Sequence, residues 1–118
     1  MDDIGEQLAG WGKVIRLVTR GRVTGAPVEV ALGYVDEPDG SVLVAAGSPE
    51  ADWARNLEAD AACRVVVGED VWPQAVAERL EGADPQRAVR ELILKYGTPA
   101  ERLGRGPAFR LRPTRPTI

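Results

Sequence analysis

The sequence predicts an α+β domain: an antiparallel sheet of about six strands, closed or nearly closed into a barrel, with two or three short helices. Three observations carry this. Short runs rich in β-branched residues follow one another, with apolar side chains at period 2. Helical periodicity is confined to a few short stretches. The turns between strands are too short for the crossover that a parallel pair requires, which disfavours βαβ folding.

The elements follow in chain order. Asp2 to Gly12 is expected to form a short, weak helix with Ile4, Leu8 and Trp11 on one face. Val14 to Thr19 reads as a strand, and Arg20 to Pro27 (RGRVTGAP) as a turn. Val28 to Val35 reads as one strand with Val28, Val30, Leu32 and Tyr34 on a common face. DEPDG at Asp36 to Gly40 is a hairpin loop, and Ser41 to Ala46 the return strand.

A helix is expected from about Pro49 to Ala59, with Ser48 as N-cap, Pro49 at N1, and Trp53 and Leu57 on its inner face. Ala62 to Val67 and Val71 to Leu80 are strands joined by Gly68-Glu69-Asp70. Pro73 implies an edge or a bulge in the second of them. Asp84-Pro85 opens a helix with Ala88, Leu92 and Tyr96 in its buried stripe, and Gly97 stops it. Pro107 to Arg112 is the last strand.

Composition removes several function classes. The chain has 118 residues, the size of a single domain spanning residues 1–118. It has no histidine, which excludes His-based triads and nearly every familiar catalytic zinc site. Cys63 is the only cysteine, so no internal disulfide forms. The net charge of -3 gives no case for nucleic-acid binding. No apolar run approaches the roughly 20 residues that span a bilayer. The acidic N-terminus lacks a signal-peptide core, and a soluble cytoplasmic protein is expected.

Two features carry potential chemistry. In RGRVTGAP, Arg20 and Arg22 flank Gly21, and Thr24 precedes Gly25. Guanidinium forks, a hydroxyl and turn amides suit a phosphate or carboxylate. Arg16, Arg20 and Arg22 are expected to share a strand face as a positive stripe. The same turn also reads as a plain hairpin with solvated arginines. In Ala45 to Leu57, small residues run into a helix N-terminus with free amides, a place for a flat ring. There Trp53 and Leu57 also read as core. Arg55 and Asn56 are placed to reach polar groups of a ligand. Cys63 reads as structural, and Glu29, Glu50, Asp52 and Glu58 as solvated charges. No carboxylate pair, metal site or side-chain nucleophile is visible, so an enzyme here needs a cofactor to bring the chemistry.

The order of these motifs carries a resemblance. Gly21, Arg22, Thr24, Gly25 and Pro27 (Gly-Arg-x-Thr-Gly-x-Pro) come first. Ala46, Gly47 and Ser48 follow, then Trp53, Arg55, Asn56 and Leu57. Lys95-Tyr96-Gly97 and Phe109 to Pro113 complete the set. From about Val14 to Pro113 the chain resembles the deazaflavin-dependent nitroreductase family, within the FMN-binding split β-barrel superfamily.

The resemblance implies a split barrel holding coenzyme F420 in a groove. It would act as an oxidoreductase that passes a hydride to an activated acceptor such as a quinone or nitro compound. The implied cofactor-binding residues are Arg20, Arg22, Thr24 and Gly25 at the phosphate or acidic tail, Ala46, Gly47 and Ser48 against the ring, and Trp53 and Asn56 along the groove. No catalytic side chain is implied. Val23 stands where the family commonly has a second basic residue, and Ser48 to Asp52 is shorter than the family's loop. FMN therefore stays open as cofactor, as does a non-catalytic barrel carrying a flavin, haem or lipid. Split barrels also pair through a sheet face, so a homodimer is compatible with the sequence.

Overall fold

The computed structural model describes residues 14–97, 103 and 105–114. The helix expected over Asp2 to Gly12 lies outside the described residues. Among the described residues seven strands form one sheet: β1 (Ile15–Arg20), β2 (Pro27–Leu32), β3 (Val35–Asp36), β4 (Val42–Ala45), β5 (Ala62–Val67), β6 (Asp70–Arg79) and β7 (Ala108–Pro113). Two helices accompany them among the described residues, α1 (Asp52–Ala59) and α2 (Asp84–Tyr96). Every strand pairing is antiparallel.

The strand order is β2-β1-β5-β6-β7-β4-β3. β2 and β3 are therefore opposite edges of the sheet, yet only Gly33 and Tyr34 separate them in the chain. In a flat sheet of this width the edges stand about 29 Å apart. Three Cα steps reach only about 11 Å. The sheet must curl until its edges approach, and this makes the barrel.

The single strand expected from Val28 to Val35 is thus corrected to two strands on either side of the seam. The Tyr34 N–H donates to the Tyr96 hydroxyl at 3.0 Å instead of continuing a ladder. Gly33 lies so close to the Tyr96 ring that a Cβ would sit 3.0 Å from its Cε2. The expected face holds in part: Val30, Leu32 and Tyr34 pack into the barrel interior, while Val28, at the turn end of β2, is exposed.

Alternation along each strand fills that interior. Ile15 and Leu17 of β1, Val42 and Val44 of β4, Val65 of β5, and Phe109 and Leu111 of β7 point inward. Burying each large aliphatic chain contributes roughly 1.5–3 kcal/mol. α1 lays Trp53, Ala54 and Leu57 into the same core. On the outside, α2 sets Ala88 and Leu92 on Leu43, Ala45 and Ala108. β4 is therefore covered on both faces, which explains its unbroken apolar run.

Pro73 marks a bulge as expected, since the β5–β6 register shifts between Cys63 and Val65. β6 is not an edge, because it pairs with β5 and β7. The start of α1 is also corrected. The helix begins at Asp52, and Ala51 provides no side-chain cap. Ser48 instead closes a turn of its own: its Oγ accepts from the Glu50 N–H at 2.9 Å and donates to the Glu50 carboxylate at 2.8 Å.

Candidate functional site

β1 ends at Arg20, and the chain reverses within six residues to enter β2 at Pro27. Gly21 N–H donates to the Ala26 carbonyl and Gly25 N–H to the Gly21 carbonyl, both at 2.8 Å. Thr24 Oγ1 accepts from the Ala26 N–H at 3.2 Å. Gly25 takes a φ of 76°, the left-handed conformation that glycine adopts without strain. These bonds fix a tight turn at the rim of the barrel.

The expected positive stripe is not continuous. Arg16 and Arg20 lie on β1, but Arg22 is past the strand end and turns toward α1. Each of the three faces a carboxylate. Arg16 pairs with Glu29 at 2.8 Å, Arg20 with Asp60 at 3.8 Å, and Arg22 with Asp52 at 3.1 Å. Glu29 and Asp52 are thus partnered rather than merely solvated. Arg20 holds its carboxylate loosely and keeps its side chain 70% exposed.

Two hollows flank the turn. One, of about 300 Å³, is bordered by Arg20, Gly25, Asp60, Cys63 and Arg64 among others. A neighbouring hollow of about 450 Å³ shares Ala62, Cys63 and Pro73 with it. Arg20 and Arg64, on adjacent strands, bring two guanidinium groups to the first, with Asp60 as the one carboxylate in its lining. The second hollow flanking the turn, of about 240 Å³, is bordered by Arg22, Thr24, Asp52 and Asn56. An apolar hollow of about 370 Å³ on α2, lined by Val89, Ile93 and Leu94, shares no residue with the turn.

The structure gathers the sequence-predicted residues in part. Arg20 and Gly25 border the first hollow, and Arg22, Thr24 and Asn56 the second. Trp53 is core, packed edge-on against Phe109 at 5.9 Å between ring centroids. Ala46 is buried, and both its backbone groups are used. Its N–H donates to the Pro107 carbonyl at 2.9 Å, and its carbonyl accepts from Gly106 N–H at 3.3 Å. Gly47 and Ser48 are half-buried beside it. Gly106 closes over this segment: a Cβ there would stand 2.3 Å from the Ser48 carbonyl oxygen.

Arg64 and Cys63 were not marked as site residues by the sequence. The pairing Thr19↔Cys63 and Val18↔Arg64 brings them beside the turn. A lone arginine within an otherwise apolar strand was the available signal for Arg64. Burial pushes the Cys63 thiol up to about 11, with Asp60 adding to the shift.

The family model described as F420H(2)-dependent quinone reductase matches residues 2–103. Among curated proteins, nothing matches. Among solved structures, an F420-H2 dependent reductase, FDR-A, shares 26% identity at a TM-score of 0.71, over 85% of this chain and 94% of that one. A domain-swapped dimer shares 23% identity at a TM-score of 0.71, over 93% and 95%. HutZ, the heme storage protein from Vibrio cholerae, shares 20% identity at a TM-score of 0.71, over 98% and 91%. The last two show a common fold.

Proposed function

We propose, for a chain that belongs to the F420H(2)-dependent quinone reductase family and is therefore a coenzyme F420-dependent oxidoreductase, that its acceptor is a quinone or another activated electron acceptor such as a nitro compound. The match over residues 2–103 carries the reading. The donor set of the site fits the cofactor. F420 is anionic, and the hollow beside the turn presents Arg20 and Arg64 on neighbouring strands.

When bound, the reduced coenzyme supplies a hydride. The protein's own part is binding and orientation. Arg20 and Arg64 would hold the anionic portion, with Gly25 allowing close backbone approach. Thr24 stands on the opposite side of the same turn. Ala46, Gly47 and Ser48 would support the ring, with the Ala46 backbone bonded to Gly106 and Pro107. Trp53 and Asn56 act from behind this surface, one as packing and one through hydrogen bonds. Such a site works by positioning, and it needs no side-chain nucleophile.

The same reading includes a pair of chains. The outward face of β5 and β6 carries Val66 opposite Val71, and Val71 is 48% exposed. Sedimentation of the purified protein tests this, and a monomer at all concentrations would remove it.

The functional test is oxidation of reduced F420 followed at the absorbance of the oxidised coenzyme, with benzoquinones, naphthoquinones and nitroaromatics in turn. The reading expects turnover with at least one quinone. Oxidation no faster than the protein-free control with every acceptor would contradict it.

A further inference from the structure

We propose that Asn56, Arg22 and Asp52 form a positioning clamp that holds the turn in its binding conformation, and that Arg22 does not itself contact the ligand anion. The inference rests on the functional reading above, and it assigns these residues a different task from Arg20.

The bonds run in one chain from the core to the surface. Asn56 and Thr19 are each 2% exposed. Asn56 Nδ2 donates to Thr19 Oγ1 at 3.0 Å, which fixes the amide against the inner face of β1. Asn56 Oδ1 accepts twice from Arg22, from its backbone N–H at 3.2 Å and from Nη1 at 2.8 Å. Arg22 then reaches Asp52, with Nη1 3.4 Å from its carbonyl oxygen and Nη2 3.1 Å from Oδ1. One side chain of α1 thus grips both the main chain and the guanidinium of the turn.

Three consequences follow from the chemistry. Both Oδ1 lone pairs of Asn56 are spent within the protein, so that oxygen has little left for a ligand. A buried, satisfied amide network favours a single arrangement, and here it sets the register of the turn against α1. Asp52 neutralises Arg22, whereas Arg20 meets its carboxylate only at 3.8 Å and stays exposed. The charge that reads an anion is then Arg20's.

Asp52→Asn separates this from direct contact by sign. Asp52 is exposed, so the substitution threatens the fold little. If Arg22 is a clamp, the weakened pair loosens the turn, and F420 binds severalfold more weakly in a fluorescence titration. If Arg22 touches the ligand, removing its competing carboxylate tightens binding, and the proposal is overturned. Asn56→Ala should cost roughly tenfold in affinity, with the slope of log affinity against log salt unchanged. A reduced slope would overturn the clamp, because loss of a direct ionic contact lowers it.

Hydrogen exchange in the free protein supplies a readout that needs no ligand. The Arg22 amide should exchange faster in Asn56→Ala, and unchanged exchange overturns the clamp. A wild type that binds no F420 overturns the functional reading instead, and the clamp is then judged on exchange alone.

Discussion

Lys95 holds its ammonium 3.6 Å from the centroid of the Tyr34 ring and donates to the Tyr34 carbonyl at 2.8 Å. The Tyr96 hydroxyl meets the main chain of the same residue, accepting from the Tyr34 N–H and donating to its carbonyl at 3.3 Å. Consecutive residues at the end of α2 thus clasp the seam where the chain passes from one sheet edge to the other. Tyr96→Phe removes the hydroxyl and should destabilise the fold by about 1–2 kcal/mol. Lys95→Ala should cost about 0.5–1 kcal/mol through the lost ring contact. Urea unfolding measures both, and unchanged midpoints would show that the seam holds without the clasp.

Gly106 is a second close approach. Its missing side chain leaves room for the Ser48 carbonyl, which a Cβ would meet at 2.3 Å. Backbone cannot step aside as a flexible side chain can. Gly106→Ala should therefore destabilise by about 2 kcal/mol and shift the Ala46–Ser48 segment. Thermal unfolding reads the first effect, and F420 affinity reads the second. Wild-type values for both would remove the segment from the site.

Acid should loosen the hairpin between β3 and β4. Ser41 hydrogen bonds, first from its side chain and then from its backbone N–H, lower the Asp39 carboxyl from 3.8 to about 2, helped by Arg112. Glu37 is lowered as well, first by its bond from Arg87 and also by Arg110. A carboxylate depressed in the folded state stabilises fully above its ordinary value, and that contribution is lost as pH falls through the folded one. In Asp39→Asn the loss of stability between pH 4 and 2 should shrink relative to wild type. Identical pH profiles would contradict the assignment.

Cys63 should be sluggish despite bordering two hollows. With its thiol pushed up to about 11, thiolate is scarce at neutral pH. Alkylation should be slow at pH 7 and accelerate up to about 11, and bound F420 should protect the thiol. Rapid labelling at pH 7 would mean that the thiol is not desolvated as described.

Much of the fold was legible because its signals are local. Asp84-Pro85 and Gly97 bound α2 in the sequence as they do in the structure, and Pro73 marked a real bulge. The seam was not legible. Val28 to Val35 keeps period 2 throughout, and the break comes from Tyr96, 62 residues away from Tyr34. Ser48-Pro49 reads as a helix start, but Ser48 spends its hydroxyl on Glu50 and the helix waits for Asp52.

The site divides the same way. RGRVTGAP stands out by composition, and the structure places it on a groove. That Arg22 turns to α1 depends on Asn56, which Thr19 anchors. Arg64 joins only through the pairing of β5 with β1. Both are long-range facts that no window of sequence contains.

The most direct test of the central claim is a fluorescence titration of oxidised F420 into the wild type and Arg20→Ala, with FMN as control. We expect saturable binding of F420 by the wild type, little of FMN, and roughly tenfold weaker F420 binding by Arg20→Ala, the loss of one charge-assisted contact. Preference for FMN, or equal F420 affinity in the two proteins, would contradict the claim.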